Sequence, residues 1–217
     1  MAIGWTRFSK LPRSIAHICK QDLPEVFDRY SVKLTHIKEI GWDKERGRFG
    51  EIVTPFIKCD DIDKALELGR GWKGIALTFT VEAIWTEMTI NVWPDEQAST
   101  NLCVDLEPDV VEFESNDYEP GEWIVEFLLA VTVALQAGCC GSGRSNDYNY
   151  QFEALDCAQV IARLRDGSLL DIVSQIHIIS TRLISAADVR AAIAKHPTDP
   201  PIEYRESVAG YHVLFNV

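Results

Sequence analysis

The longest apolar stretch in the chain runs from Trp123 to Ala137, 15 residues broken by a single charge, Glu126. A membrane-spanning helix needs about 20 such residues, so this one reads as a buried core helix. Pro120 at a first helical position, Glu119 and Glu122 beside the positive helix end and Gly138 after the last turn predict a helix of about 18 residues. Because it is apolar on nearly every side, layers must cover it on both faces or it must lie centrally on a sheet. The rest of the chain therefore has to supply a large apolar surface to receive it.

Strand patterns supply that surface. Ser31 to Ile40, Ile52 to Ile57, Leu102 to Leu106, Val110 to Glu114, Ile172 to Ile179, Ile202 to Arg205 and Gly210 to Val217 read as strands, the last two as a hairpin or a pair. From Ile75, alternation places Ile75, Leu77, Phe79 and Val81 on one face, and the apolar set then moves to Ile84, Met88, Ile90 and Val92. That change of parity predicts a bulge or bend near Glu82 and Ala83. The charged, glycine-bounded stretch Gly41 to Gly50 reads as a loop.

Helices are expected in two short pieces over 11–30, with Pro12 and Pro24 at first helical positions. Further helices are expected from an Asp60 or Asp61 cap to Gly69, from Asp156 with Gln159 to Gly167, and from Ser185 with Asp188 to before Pro197. Strands in blocks broken by single helices, without regular βαβ alternation, predict an α+β fold: a mainly antiparallel sheet packed with several helices, one of them the long apolar central helix. No repeat or linker divides the chain, so 1–217 reads as a single domain. The alternative is a small N-terminal lobe, 1–73, packed on 74–217.

Charge is distributed unevenly. Between Lys73 and Arg144 there are 13 acidic residues and no Lys or Arg, so the whole net charge of −12 resides in that segment. Seven of the acids, Asp105, Glu107, Asp109, Glu112, Glu114, Asp117 and Glu119, fall within 15 residues. A nucleic-acid binder would need the opposite surplus to neutralise phosphates. An acidic run is either a solvated face that keeps the protein soluble or a surface that steers and docks a basic partner. A calcium loop would need D-x-[DN]-x-[DN]-G, which does not occur.

The N-terminus is too polar for a secretory signal, so the six cysteines (Cys19, Cys59, Cys103, Cys139, Cys140 and Cys157) read as reduced thiols of a cytoplasmic protein. No CxxC occurs and none of the five histidines lies at ligand spacing from a cysteine, so neither a metal nor a cofactor is expected. Gly138 to Ser145, GCCGSGRS, fits the phosphate-cradling pattern except that Arg144 replaces its lysine. It follows a helical stretch instead of a strand, so it reads as a glycine-rich helix exit. Cys139 and Cys140 in that turn could be reactive, joined as a strained vicinal disulfide, or inert. No GxSxG, HExxH or GxGxxG is present, and no catalytic residue is assigned.

An acidic turn leading into an apolar helix (VVEFESNDYEPGEWIVEFLLAVTVALQA), with short strands and no catalytic signature, resembles the bacterial immunity proteins that neutralise polymorphic or contact-dependent toxins. The likeness is one of organisation, strongest over roughly residues 75 to 165. It implies a cytoplasmic, non-enzymatic inhibitor that binds a cognate toxin and blocks its active site; charge and the short apolar stretch separately leave neither nucleic acid nor membrane as an expected partner. The acidic segment independently fits a basic partner, with the seven carboxylates from Asp105 to Glu119 as the docking face. Two other classes remain open: a small enzyme using Cys139 or Cys140 with His177 or His212, and an assembly subunit whose acidic face packs on a neighbour.

Overall fold

The computed structural model describes residues 4–43, 48–52, 55–81, 86–94, 100–106, 122–144, 155–170, 176–199 and 201–216. The strands are β1 (Gly4–Phe8), β2 (Val32–Asp43), β3 (Arg48–Ile52), β4 (Ile57–Lys58), β5 (Gly74–Val81), β6 (Thr86–Pro94), β7 (Thr100–Leu106), β8 (Cys139–Arg144), β9 (Ile176–Ser180), β10 (Ile202–Val208) and β11 (Tyr211–Asn216). The helices are α1 (Ile15–His17), α2 (Pro24–Arg29), α3 (Ile62–Leu68), α4 (Glu122–Ala134), α5 (Cys157–Asp166) and α6 (Ala186–Lys195), and a π-helical turn, Ile18–Asp22, joins α1 to α2. The fold is α+β.

The described strands form one sheet in the order β10-β11-β9-β8-β1-β7-β6-β5-β2-β3, with β4 paired to β2. Every pairing within it is antiparallel. The first strand of the chain lies in the interior of this sheet, between β7 and β8. Strands from both sides of residue 73 are thus hydrogen-bonded neighbours, as in the pairing of β2 with β5.

Alternation along the strands divides the core between the two faces. Cys140 and Ile178 belong to one apolar cluster with α4, whereas Cys139 and Ile179, their chain neighbours, belong to a second cluster with α5 and α6. Side chains of successive strand residues point to opposite faces, so this half of the sheet is covered by helices on both sides. The larger cluster continues under α1, α2 and α3 through Ile37, Leu77, Phe79 and Ile90. An aromatic group joins the helices of that face: Trp123 stacks on Phe127 with centroids 5.1 Å apart, and Tyr30, directly after α2, meets both rings edge-on.

Local signals placed most helix ends where the sequence predicts them. The Asp61 carboxylate accepts from Lys64 N, Asp156 from Ala158 N, and the Ser185 hydroxyl from Asp188 N, each satisfying an orphan amide of its helix. Pro24 opens α2, but the helix before it is capped by Ser14 and not opened by Pro12. The expected helix of about 18 residues has 13, Glu122–Ala134. It stops early because Gln136, with φ 49°, adopts the left-handed conformation usual for glycine. Its N–H donates to Val133 O while that of Ala137 donates to Thr132 O, a Schellman closure formed before Gly138 is reached.

Three strand expectations change. The parity break after Val81 marks a hairpin and not a bulged strand, since β5 and β6 pair from Val81–Thr86 back to Ile75–Val92; residues 82–85 lie outside the described residues. The stretch expected as a loop over Gly41 to Gly50 carries the end of β2 and the start of β3, paired from Ile40–Ile52 to Asp43–Arg48. Cross-strand pairing there outweighs the charged composition that suggested a loop. The strand expected over Ile52 to Ile57 is split between β3 and β4. The strand expected over Val110 to Glu114 lies outside the described residues. At the C-terminus the expected hairpin forms, with Ala209 (φ 50°) and Gly210 (φ 85°) as its two loop residues, the backbone a tight type I′ turn needs.

Phe127 is fully buried at the centre of the aromatic group, so Phe127→Ala removes a large apolar surface and leaves a cavity between α2 and α4. The expected loss is about 3–5 kcal/mol of unfolding free energy, read as a lower urea midpoint at unchanged slope.

Candidate functional site

The acidic segment is framed by two described elements. On its N-terminal side β7 ends at Leu106, which pairs with Met88 of β6 and Gly4 of β1, so the segment leaves from an interior strand of the sheet. Asp105 lies within that strand, opposite Thr89 and Trp5. Glu107, Asp109, Glu112, Glu114, Asp117 and Glu119 lie outside the described residues. On its C-terminal side α4 carries Glu122 in its first turn and Glu126 one turn further on, both engaged by Arg205 of β10 at 3.4 and 3.2 Å. The same guanidinium lies 5.0 Å over the Phe215 ring, so one cation fixes the start of α4 to the sheet.

A second constellation gathers at the end of β1. Ser9 follows β1 directly; its N–H donates to Cys139 O at 2.9 Å, and its hydroxyl oxygen accepts from Gly138 N at 2.8 Å and from Cys139 N at 3.3 Å. On the other side Leu155 N donates to Phe8 O, bringing the chain into position for α5. Cys157, the first residue of α5, then lies with its Sγ 2.8 Å from that of Cys139. Gly138 makes this approach possible, because a Cβ there would stand 2.8 Å from Cys157 Sγ.

The two thiols differ in character. Cys139 is fully buried, and its thiol is pushed up by donating its proton to Cys157 and by burial. Cys157 is half-buried, and that same hydrogen bond lowers it to about 7, with burial opposing and the Ser9 hydroxyl assisting. A thiolate at a helix N-terminus receiving two hydrogen bonds is the arrangement that makes a cysteine nucleophilic. The sequence reading missed Cys157, although a cysteine directly after the Asp156 cap is a local signal for it.

Cys139 and Cys140 do not act together. They are adjacent in a strand, so their side chains leave on opposite faces, and a vicinal disulfide is not formed. Cys140 is buried against α4 and burial pushes its thiol up to about 12, an inert core residue. The glycine-rich stretch that resembled a phosphate loop is strand β8, hydrogen-bonded to β1 and β9, so its amides serve the ladder and cannot cradle an anion. Its small residues suit the face they present: a Cβ at Gly141 would stand 3.2 Å from Leu155 and 3.5 Å from His177.

Neither candidate histidine bonds a cysteine. His212 spends both ring nitrogens on Tyr204 Oη, 3.0 Å, and Ile184 O, 3.1 Å. It is separated from Cys139 by β9, two strand spacings or about 10 Å. His177 is buried, its Nε2 without a partner among the described residues, and burial with the nearby Arg163 holds its pKa down to about 4. Among the described residues no three His, Cys, Asp or Glu side chains gather to hold a metal, and no helix is long and apolar enough to cross a membrane. No family model matches the chain, and neither a curated protein nor a solved structure matches it.

Because His177 is neutral in the folded protein and titrates near its ordinary value when unfolded, the unfolded chain binds the extra proton between pH 6.5 and 4. Stability from this group is complete above pH 6.5 and falls as pH drops toward 4, by about 3 kcal/mol at most. Urea unfolding at pH 7.5 and 5 checks this: His177→Gln should reduce the loss on acidification, and an unchanged acid dependence would remove His177 as its source.

Proposed function

We propose that the protein is a non-enzymatic inhibitor of the immunity kind, which binds a basic protein partner, a cognate toxin, through the acidic segment from Asp105 to Glu119. The observation that carries this reading is the charge distribution: 13 acids and no Lys or Arg over 70 residues, in a chain whose remaining 147 residues are almost neutral. Solubility alone does not require such segregation, since interspersed charges serve it as well. A one-signed surface raises the encounter rate with an oppositely charged partner and rejects others, which suits an inhibitor that must reach its target before damage is done.

The framing of the segment supports the same reading. Arg205 compensates Glu122 and Glu126, the two carboxylates next to the core, and holds the start of α4 in place. Glu107 to Glu119 have no basic residue near them in sequence. An anchored helix start, preceded by an acidic run that holds no Lys or Arg, suits the docking of a cationic surface.

The test is affinity capture from lysate of the source organism with a rising salt elution, comparing the native chain with the triple variant Glu112→Lys, Glu114→Lys, Asp117→Lys. A basic protein held stoichiometrically by the native chain and at least about tenfold more weakly by the variant is the expected result. Equal retention by both, or a captured partner with no excess of Lys and Arg, removes the acidic segment from the function.

A further inference from the structure

The Cys139–Cys157 pair has no part in a docking function, yet its arrangement is specific. The two sulfurs face each other 2.8 Å apart, inside ordinary contact and a short movement from the S–S bonding distance of about 2.05 Å. Three separate features build the contact. Ser9 fixes the Gly138 and Cys139 amides with its side-chain oxygen, Gly138 leaves the space a Cβ would fill, and Asp156 caps the helix that begins with Cys157. Cys157 is half-buried and reachable, whereas Cys139 behind it is not.

We propose that Cys157 and Cys139 are a redox-active dithiol, in which Cys157 is attacked by small disulfides from solution and Cys139 resolves the product into an intrachain disulfide joining α5 to β8. In the first step the Cys157 thiolate attacks one sulfur of a low-molecular-weight disulfide, RSSR. The S–S bond of the reagent breaks, one RS⁻ departs and takes a proton from water, and Cys157 carries a mixed disulfide. In the second step the Cys139 sulfur attacks Sγ of Cys157, and the second RS⁻ is expelled and takes up the Cys139 proton. Two thiols are oxidised and one RSSR is reduced to two RSH, a two-electron exchange without further reagent.

The neighbouring groups favour this order. The Asp156 carboxylate opposes the thiolate, but the hydrogen bonds from Cys139 and Ser9 outweigh it, so Cys157 is the more acidic partner. Capping Cys157 removes the anion that held the Cys139 proton, which frees the resolving thiol only after the first step. Cys19, Cys59 and Cys140 are buried, and burial pushes the thiols of Cys19 and Cys140 up to about 12.

The experiment treats the full reduced chain with oxidised glutathione at pH 7.5 and maps cysteines by peptide mass spectrometry. The expected product is a Cys139–Cys157 disulfide with no retained glutathione, whereas Cys139→Ser stops at one glutathione on Cys157 and Cys157→Ser takes up none at this site. The oxidised chain should melt about 5–10 °C higher than the reduced one, because the bond closes the loop between β8 and α5. Gly138→Ala gives an independent check that leaves both cysteines in place. It should slow disulfide closure at least about tenfold, with iodoacetamide labelling of Cys157 changed less than about twofold. Pairing of other cysteines, a stable mixed disulfide in the native chain, no oxidation at all, or closure unaffected by Gly138→Ala would each overturn the proposal; if a substituted chain does not fold, the mapping on the native chain decides alone.

Discussion

The pairing of β1 on both its edges holds the protein together. Among the described strands it is the one link between the group β2 to β7 and the group β8 to β11, through Gly4–Arg7 against β7 and Gly4–Phe8 against β8. Its side chains reinforce the junction on the core face, where Phe8 is fully buried and the Thr6 hydroxyl donates to Ser142 Oγ at 2.9 Å. These contacts join residues 136 apart in sequence, so the chain must order two distant regions before its first strand is satisfied. Such non-local closure costs loop entropy early in folding and is repaid only when both neighbours are present.

That junction also governs the chemistry. Ser9 is positioned by being the residue at which β1 leaves the ladder, with its amide still bonded to Cys139 and its hydroxyl free to serve three groups. Leu155 reads the same strand end through Phe8 O, and its position determines where α5 can begin. The thiol pair is thus a consequence of where the sheet is joined. A slip of β1 by one residue would reverse every side chain and separate all three groups.

What was legible in the sequence follows from how local its cause is. Caps at Asp61, Asp156 and Ser185 act within three residues, and each helix starts where its cap predicts. The alternation of Ile75 to Val81 and the closing hairpin were equally plain, since period two and a two-residue turn are local facts. Strand β1 had no such signal, because a short polar N-terminus becomes a strand only by inserting between β7 and β8. Strand β8 reads as a helix exit for the same reason: glycine and cysteine have weak strand preference alone, and only the close approach of Leu155 and His177 explains why nothing larger fits at Gly141. The end of α4 misled in a subtler way. Gln136 takes the left-handed position that composition assigns to Gly138, while the missing Cβ of Gly138 admits Cys157 instead.

Adjacent residues of one strand divide the two functional themes. Cys140 faces α4, the helix that carries the C-terminal flank of the acidic segment, while Cys139 faces α5 across the sheet. Arg205 and Phe215 fix the α4 flank on one face, whereas Ser9, Gly138 and Asp156 fix the thiols on the other. The α4 flank and Cys157 therefore lie on opposite faces of the sheet. Coupling between them would have to pass through β8 itself. An interior strand paired on both sides is tightly packed, so a change on one of its faces is felt as strain on the other.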